Sequence, residues 1–434
     1  MKDVLLEQKI LNKEAIIGVV GLGYVGLTLS ITANNCGFHT IGIDVDQDKI
    51  DQLNEGQSYL FDVTEEELSY ALQQRLSVTS NFGALALANV IVLCLPTPID
   101  EFQQPDLTYI EQAMLEVSAI VQPHTLLILE STSYPGTTVD YIVEPLVKKG
   151  FVVGENIWVA YSPERIDPGN QQFQTNNTPK IVGGMSLTCQ KLATSFYENI
   201  IKAPIHKVSS PQTAEMAKLV ENVFRNVNIA LVNELAIICN SMDIDVWEVI
   251  DAASTKPYGY MPFYPGPGIG GHCIPVDPQY LIWKAKQHTT EIAFIEQAMQ
   301  TNIKMSQYVF SRLLQVCNHN KIIPKEAHVL FVGVAYKKNS NDYRETPLFP
   351  LLALAEQYGM NYIVADPHIT EYMYKGKVYE TVTLTAELVQ AASIVVIVTD
   401  HDAVDYQLLD IYSQVIFDTR RVQYPFVNKQ YIVL

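Results

Sequence analysis

The stretch Pro265-Gly266-Pro267-Gly268-Ile269-Gly270-Gly271-His272-Cys273-Ile274-Pro275-Val276-Asp277 combines glycine, proline and a terminal cysteine in a way that suits chemistry. So much glycine and proline inside an otherwise helical region lets backbone wrap closely around a bound molecule. Cys273, fixed by Pro275 and followed by Asp277, reads as a positioned nucleophile, with a buried packing cysteine as the competing reading. His272 is adjacent to it, and adjacent side chains point apart, so His272 reads as structural. Upstream, Lys218 and Asn222 are four residues apart and share one helical face, with Asn226 and Asn233 extending a polar stripe. A lysine near a cysteine favours the thiolate, and a lysine with an asparagine can stabilise an oxyanion. The pair is therefore expected to line a pocket and not to face solvent. Glu164, in Tyr161-Ser162-Pro163-Glu164-Arg165, is an acid or base candidate, and Arg165 is a phosphate or carboxylate clamp or else half of a surface ion pair. The cations of Ala335-Tyr336-Lys337-Lys338 and Tyr343-Arg344-Glu345-Thr346-Pro347 suit an anionic ligand.

A second constellation binds phosphate without cations. Gly21-Leu22-Gly23-Tyr24-Val25-Gly26 follows a strand and opens a helix, and Asp44 ends the next strand. Gly21 permits the tight turn, Gly23 admits the pyrophosphate to the backbone, and Gly26 brings helix close to sheet; the helix start supplies N–H groups and positive dipole. A carboxylate at Asp44 accepts ribose hydroxyls and repels a 2′-phosphate, so NAD is expected over NADP. Thr97 and Thr132 lie in two further loops at strand C-terminal ends, where they suit hydrogen bonds to cofactor or sugar; ordinary turn chemistry is the alternative.

These groups need rigid elements to place them. Ala15 to Val20, Phe38 to Ile43, Val90 to Leu95, Thr125 to Leu129 and Ile157 to Ala160 read as buried strands of a parallel sheet. The first domain is expected to end near Val208. Ser209-Ser210-Pro211 starts a helix, and no Gly or Pro follows until Pro257, so a long helix opens an all-helical middle and braces two flanking domains. Strand and helix alternate again near His328, with His328 to Val334, Tyr362 to Ala365, Ile394 to Val398 and Gln414 to Phe417 as strands. The expected architecture is α/β: two Rossmann-like, doubly wound domains, residues 1–208 and 318–434, joined by a central all-helical domain, residues 209–317, with a long connecting helix.

Composition narrows the class. With 434 residues and 48% apolar side chains the chain can fill several cores, and a net charge of -18 disfavours nucleic acid and anionic membrane as partners. Six dispersed cysteines without a CxxC pair point to a reducing compartment, and no spacing resembles a metal site. With neither a signal-peptide pattern at the start nor an apolar run long enough to span a bilayer, a cytoplasmic protein is the expectation.

In their order, these segments resemble the UDP-glucose/GDP-mannose dehydrogenase family across nearly the whole chain. The resemblance rests on Gly21-Leu22-Gly23-Tyr24-Val25-Gly26-Leu27, Tyr161-Ser162-Pro163-Glu164-Arg165, Glu215-Met216-Ala217-Lys218 through Asn222, Gly270-Gly271-His272-Cys273 and Tyr343-Arg344-Glu345. It implies an N-terminal NAD domain, a helical middle that forms a homodimer or larger homo-oligomer, a C-terminal domain for the nucleotide diphosphate, and a four-electron oxidation using two NAD per sugar. It further implies that Cys273 captures the aldehyde as a thiohemiacetal on the way to a thioester. In this scheme Lys218 and Asn222 stabilise the oxygen on C6, Asp277 helps activate water, Glu164 assists thioester breakdown, and Thr132 lies in the cofactor loop. Lys256 and Lys337 are implied diphosphate contacts, and Arg344 lies near cofactor or substrate. Phe263, Tyr264, Gly270 and Arg165 belong to the segments expected to contact the sugar nucleotide. Ile274 and Val276, where the UDP-glucose branch commonly has Phe and Lys, favour a UDP-N-acetylhexosamine. UDP-N-acetylglucosamine is the first choice, with UDP-N-acetylmannosamine, UDP-N-acetylgalactosamine and UDP-glucose as competitors, and the product resembles precursors of capsule or surface polysaccharide. Two other classes remain in competition: an ordinary two-electron dehydrogenase with a structural cysteine, and a non-catalytic nucleotide-sugar sensor.

Overall fold

The computed structural model describes all residues except 1, 61–62, 166–174 and 429. Short apolar runs between helices build an eight-stranded sheet from β1 (Ile16–Val20), β2 (His39–Ile43), β3 (Leu76–Thr79), β4 (Val90–Leu93), β5 (Leu126–Leu129), β6 (Trp158–Tyr161), β7 (Lys180–Gly184) and β8 (Ile205–Val208). Their order is β3-β2-β1-β4-β5-β6-β7-β8, so the sequence order reverses between β1 and β4. In a doubly wound sheet, ligands collect in the crevice outside the C-terminal strand ends at such a reversal. All neighbours pair in parallel except β6 and β7. Apolar side chains pack both faces, Ile17, Val19, Leu126 and Phe196 in one cluster and Leu22, Ile50 and Leu68 in another.

A second sheet has the order β10-β9-β13-β14-β15. It comprises β9 (His328–Val332), β10 (Asn361–Ala365), β13 (Ile394–Ile397), β14 (Ile416–Asp418) and β15 (Tyr431–Val433), all paired in parallel, while β11 (Glu371–Tyr374) and β12 (Lys377–Glu380) form a separate antiparallel hairpin. The expected α/β architecture, with two largely parallel sheets on either side of a helical stretch in the chain, is what the protein adopts. The long helix runs Pro211–Ser241, beginning at the proline the sequence marks. Among the described residues no helix is long and apolar enough to cross a membrane.

The chain divides into two compact units, Met1–Glu221 with Gln279–Thr289, and Asn222–Pro278 with Thr290–Leu434. The strands expected from apolar runs are all present, some with shifted ends. β4 stops at Leu93 ahead of Pro96, and β9 stops at Val332 because Gly333 turns with φ 102°. Strands β3, β7, β8, β11, β12 and β15 were not expected. They are short; β12 alternates with polar residues, β7 begins with lysine and ends in two glycines, and β15 is only three residues long.

Candidate active site

In the first unit, the turn after β1 and the acid after β2 meet. Gly21 has φ 88°, and a Cβ at Gly26 would collide with the Gly21 carbonyl oxygen, so both positions need glycine. Gly23 faces open space, and as N-cap of the helix Tyr24–Asn35 it puts no side chain over the helix start. Tyr24 and Val25 are half-buried on that first turn. The Asp44 carboxylate accepts from Leu22 N at 2.8 Å and from Asp46 N at 3.0 Å, which ties the turn to the end of β2. The uncovered helix start and the bare Gly23 fit a dinucleotide, with backbone N–H groups for pyrophosphate and Asp44 beside them for ribose hydroxyls.

The loops after β4 and β5 are built into the same unit. Thr97 is buried, and its carbonyl accepts the Tyr280 hydroxyl at 3.0 Å. Thr132 is half-buried, next to Ser131, whose Oγ accepts from Leu95 N at 2.8 Å. The fully buried Glu215, on the long helix, accepts from Gly136 N at 2.6 Å, Thr138 N at 2.8 Å and Thr138 Oγ1 at 2.6 Å. The Thr132 loop is thus anchored one turn before Lys218. Glu164 follows β6; its Oε1 accepts from Arg165 N at 2.7 Å, and its Oε2 lies 3.4 Å from the Lys180 ammonium. Arg165 pairs with Glu221 on the long helix at 2.7 Å and donates to Pro179 O at 2.8 Å.

The long helix buries a polar stripe alongside apolar residues such as Leu219 and Val232, and leaves other apolar residues exposed. Lys218, Asn222, Asn226 and Asn233 are 8%, 5%, 2% and 0% exposed, whereas Val220, Phe224, Leu231 and Ile238 are 50%, 46%, 54% and 47% exposed. The polar stripe is therefore buried, against the usual habit of a helix. In the second unit Asn222 Nδ2 donates to Asp277 Oδ2, and Asn226 Nδ2 donates to Ile274 O at 3.2 Å. Asn233 donates to Asn302 at 2.9 Å and accepts from Gly266 N at 3.1 Å, so the asparagine ladder grips the glycine-rich strip along its length.

Cys273 is exposed, and its carbonyl accepts from Asp277 N at 2.9 Å, which places it one turn ahead of the helix Asp277–Gln287. The strip reaches this position past Tyr336, whose ring would stand 2.8 Å from a Cβ at Gly271, and a Cβ at Gly270 would meet Glu345 O at 2.7 Å. Burial, aided by the charge of Arg344, holds His272 below the ordinary histidine range. Phe263 packs edge-on against Phe224, and Tyr264 stacks on Trp247.

The C-terminal edge of the second sheet repeats the design of the first. Gly333 turns after β9, and Asp366 after β10 accepts from Val334 N at 2.6 Å and Ala335 N at 3.2 Å. His401 Nε2 meets the same carboxylate oxygen at 3.2 Å, while its Nδ1 accepts from Asn339 N at 2.9 Å, pinning the loop that bears Lys337 and Lys338. Of the expected cations, Lys337 is half-buried there and Lys256 is exposed beside Tyr258. Lys338 and Arg344 already hold carboxylates, Asp402 at 2.6 Å and Asp342 at 2.6 Å. Sequence reading missed Asp366 although its signal, an acid ending the second strand, matches that of Asp44. It also missed Lys180 and Glu130, because β7 was not expected.

Three profiles of the UDP-glucose/GDP-mannose dehydrogenase family match the chain: the NAD binding domain over residues 15–201, the central domain over 212–304 and the UDP binding domain over 330–425. A UDP-N-acetyl-D-glucosamine 6-dehydrogenase of Pseudomonas aeruginosa is 38% identical over 82% of this chain and 84% of its own length. Protein CapL of Staphylococcus aureus is 37% identical over 81% of each. Among solved structures, UDP-D-ManNAc dehydrogenase from Pyrococcus horikoshii superposes with a TM-score of 0.88 at 30% identity, covering 96% of this chain and 98% of that one.

Proposed function

This chain belongs to the UDP-glucose/GDP-mannose dehydrogenase family and is an NAD-dependent oxidoreductase, and from that premise we propose that it oxidises the C6 alcohol of a UDP-N-acetylhexosamine to the carboxylate through a covalent bond to Cys273. The observation that carries the reading is the hydrogen bond from Asn222 to Asp277, because it ties the polar face of the long helix to the turn that presents an exposed thiol. Gly21, Gly23, Gly26 and Asp44 would hold NAD, with Thr97 and Thr132 in neighbouring loops. When bound, NAD supplies the hydride acceptor for both two-electron oxidations.

Lys218 and Asn222 stabilise negative charge on the C6 oxygen as its proton departs. The Cys273 thiolate then adds to the aldehyde carbon: a C–S bond forms, and the carbonyl electron pair moves to oxygen, which takes a proton. Held as a thiohemiacetal, this carbon emerges from the second oxidation as a thioester. Water, oriented by Asp277 and deprotonated by Glu164, adds to the thioester carbonyl. The C–S bond breaks with its electrons on sulfur, and the acid leaves. Lys256, Lys337 and Arg344, with Arg165, Phe263, Tyr264 and Gly270, complete the sugar-nucleotide contacts in this reading.

UDP-N-acetylglucosamine is the preferred substrate, supported by the 38% identical relative of that activity and by Ile274 and Val276 flanking the cysteine turn. The division at residues 208 and 317 into NAD-binding, helical and UDP-binding domains belongs to the same proposal. So do a homodimer formed on the exposed apolar stripe of the long helix, a reducing cytoplasmic setting that suits six free thiols, and a product destined for surface polysaccharide. The deciding measurement counts NADH per sugar consumed across UDP-glucose and the UDP-N-acetylhexosamines. Two per UDP-N-acetylglucosamine, with the highest kcat/KM in the panel, is the expected result. One per sugar would make the protein a two-electron dehydrogenase, and none with any sugar a sensor.

A further inference from the structure

The antiparallel strand of the first sheet has a chemical consequence. Because β7 runs against β6, its first residue, Lys180, lies at the C-terminal ends of β5 and β6, the edge where ligands of such sheets collect. There its ammonium is 2.7 Å from Glu130 Oε1 and 3.4 Å from Glu164 Oε2. It also sits 4.8 Å from the centre of the Tyr197 ring, and the Tyr197 hydroxyl donates to the same Glu130 oxygen. Lys180 and Glu130 are buried, and Glu164 alone of the three retains some exposure.

A buried ion pair by itself is a weak reason for keeping a lysine, since two apolar side chains would often serve stability as well. Here the cation has a second carboxylate, and that carboxylate follows the end of β6. Burial works against the Lys180 charge, but Glu130 and Glu164 outweigh it and keep the ammonium protonated. Glu164 Oε1 accepts a hydrogen bond from Arg165 N, and Oε2 makes an ionic contact with Lys180.

We propose that Lys180, anchored by Glu130 and Tyr197, is a positioning residue for the last step of the reaction, fixing the Glu164 carboxylate where it takes a proton from the water that hydrolyses the thioester. This rests on the role given to Glu164 above. In that step the water oxygen bonds to the thioester carbonyl carbon while its O–H bond breaks and the proton passes to Glu164. The tetrahedral adduct then expels the Cys273 thiolate, with both C–S electrons, and releases the sugar acid.

The test follows the covalent sugar adduct on Cys273 by intact mass after rapid quenching, and its decay once substrate is removed. It compares the wild type, Glu164→Gln, Lys180→Gln, and Lys180→Gln combined with Glu130→Gln, with KM measured alongside. The double variant removes both buried charges together, so it remains informative where Lys180→Gln alone leaves Glu130 uncompensated and fails to fold. Loss of a positioned base costs about 100-fold or more. The expected result is an adduct that decays about 100-fold more slowly in Glu164→Gln and in the double variant, with KM little changed. If Glu164→Gln stalls while the double variant releases product at the wild-type rate, Lys180 merely neutralises Glu130 and the proposal is overturned, though the reading of Glu164 stands. If Glu164→Gln itself releases product normally, or no variant ever carries an adduct, the reading of Glu164 falls and the proposal with it.

Discussion

Cys273 and His272 are neighbours in sequence but occupy different environments, and the proposed reaction uses only the first of them. The thiol is exposed ahead of a helix, while the imidazole is largely withdrawn from solvent and kept neutral by burial beside Arg344. In the proposed reaction a thiol serves at position 273 because the second oxidation starts from a tetrahedral adduct, which sulfur forms far more readily than oxygen near neutral pH. Cys273→Ser is therefore expected to abolish steady-state formation of the sugar acid while leaving NAD binding, which involves residues of the other unit, close to wild type. Product analysis over many turnovers together with a cofactor titration checks this, and a serine variant that makes acid at the normal rate would refute covalent catalysis.

A long helix with buried asparagines and exposed leucine, valine and phenylalanine is unusual, and it is intelligible once its fixed points are located. Glu215 is such a point: three donors from the segment 136–138 converge on its carboxylate, so the helix and the Thr132 loop are held in register. Glu215→Ala leaves the buried Thr138 N–H without an acceptor, at about 1–3 kcal/mol, and also frees the half-buried Gly136 N–H. At about 2–4 °C per kcal/mol in a domain of this size, the melting temperature should fall by several degrees, and NAD affinity should fall with it as the loop loosens. Glu215→Gln, which retains one acceptor oxygen, should recover part of both losses. An alanine variant that melts like the wild type would remove Glu215 from this role. The start of the helix and the fate of its polar face were legible in the sequence, from Ser210-Pro211 and from the spacing of Lys218, Asn222, Asn226 and Asn233. The alternation of apolar runs likewise disclosed the central strands of both sheets. Strand β7 was not legible because Lys180 and two glycines disguise it, and with it went the Lys180–Glu130 pair. Glu215 could be quoted only as part of a motif, since its partners lie near residue 137 and no local pattern links them.

A chain of net charge -18 that handles two anionic dinucleotide-like ligands has to overcome its own field at short range. The first unit meets this demand with backbone, a glycine turn and the N–H groups of a helix start beside Asp44; in the second, Asp366 already takes the N–H groups of Val334 and Ala335, and the cations of the proposed sugar-nucleotide contacts supply the short-range attraction. Such groups act over a few ångströms and do not depend on net charge, so each sheet edge should recognise its own ligand. NAD should slow amide hydrogen exchange in the 21–26 turn and the following helix, and UDP should slow it in the 333–344 loop. For amides that exchange by opening of the liganded unit, the slowing should reach about 100-fold when ligand is present at about 100 times its Kd, corresponding to about 2.7 kcal/mol. Each ligand added alone should have its strongest footprint in its own turn. UDP that protects 21–26 and leaves 333–344 unchanged would show that the two edges have been assigned the wrong way round, whatever their likeness in design.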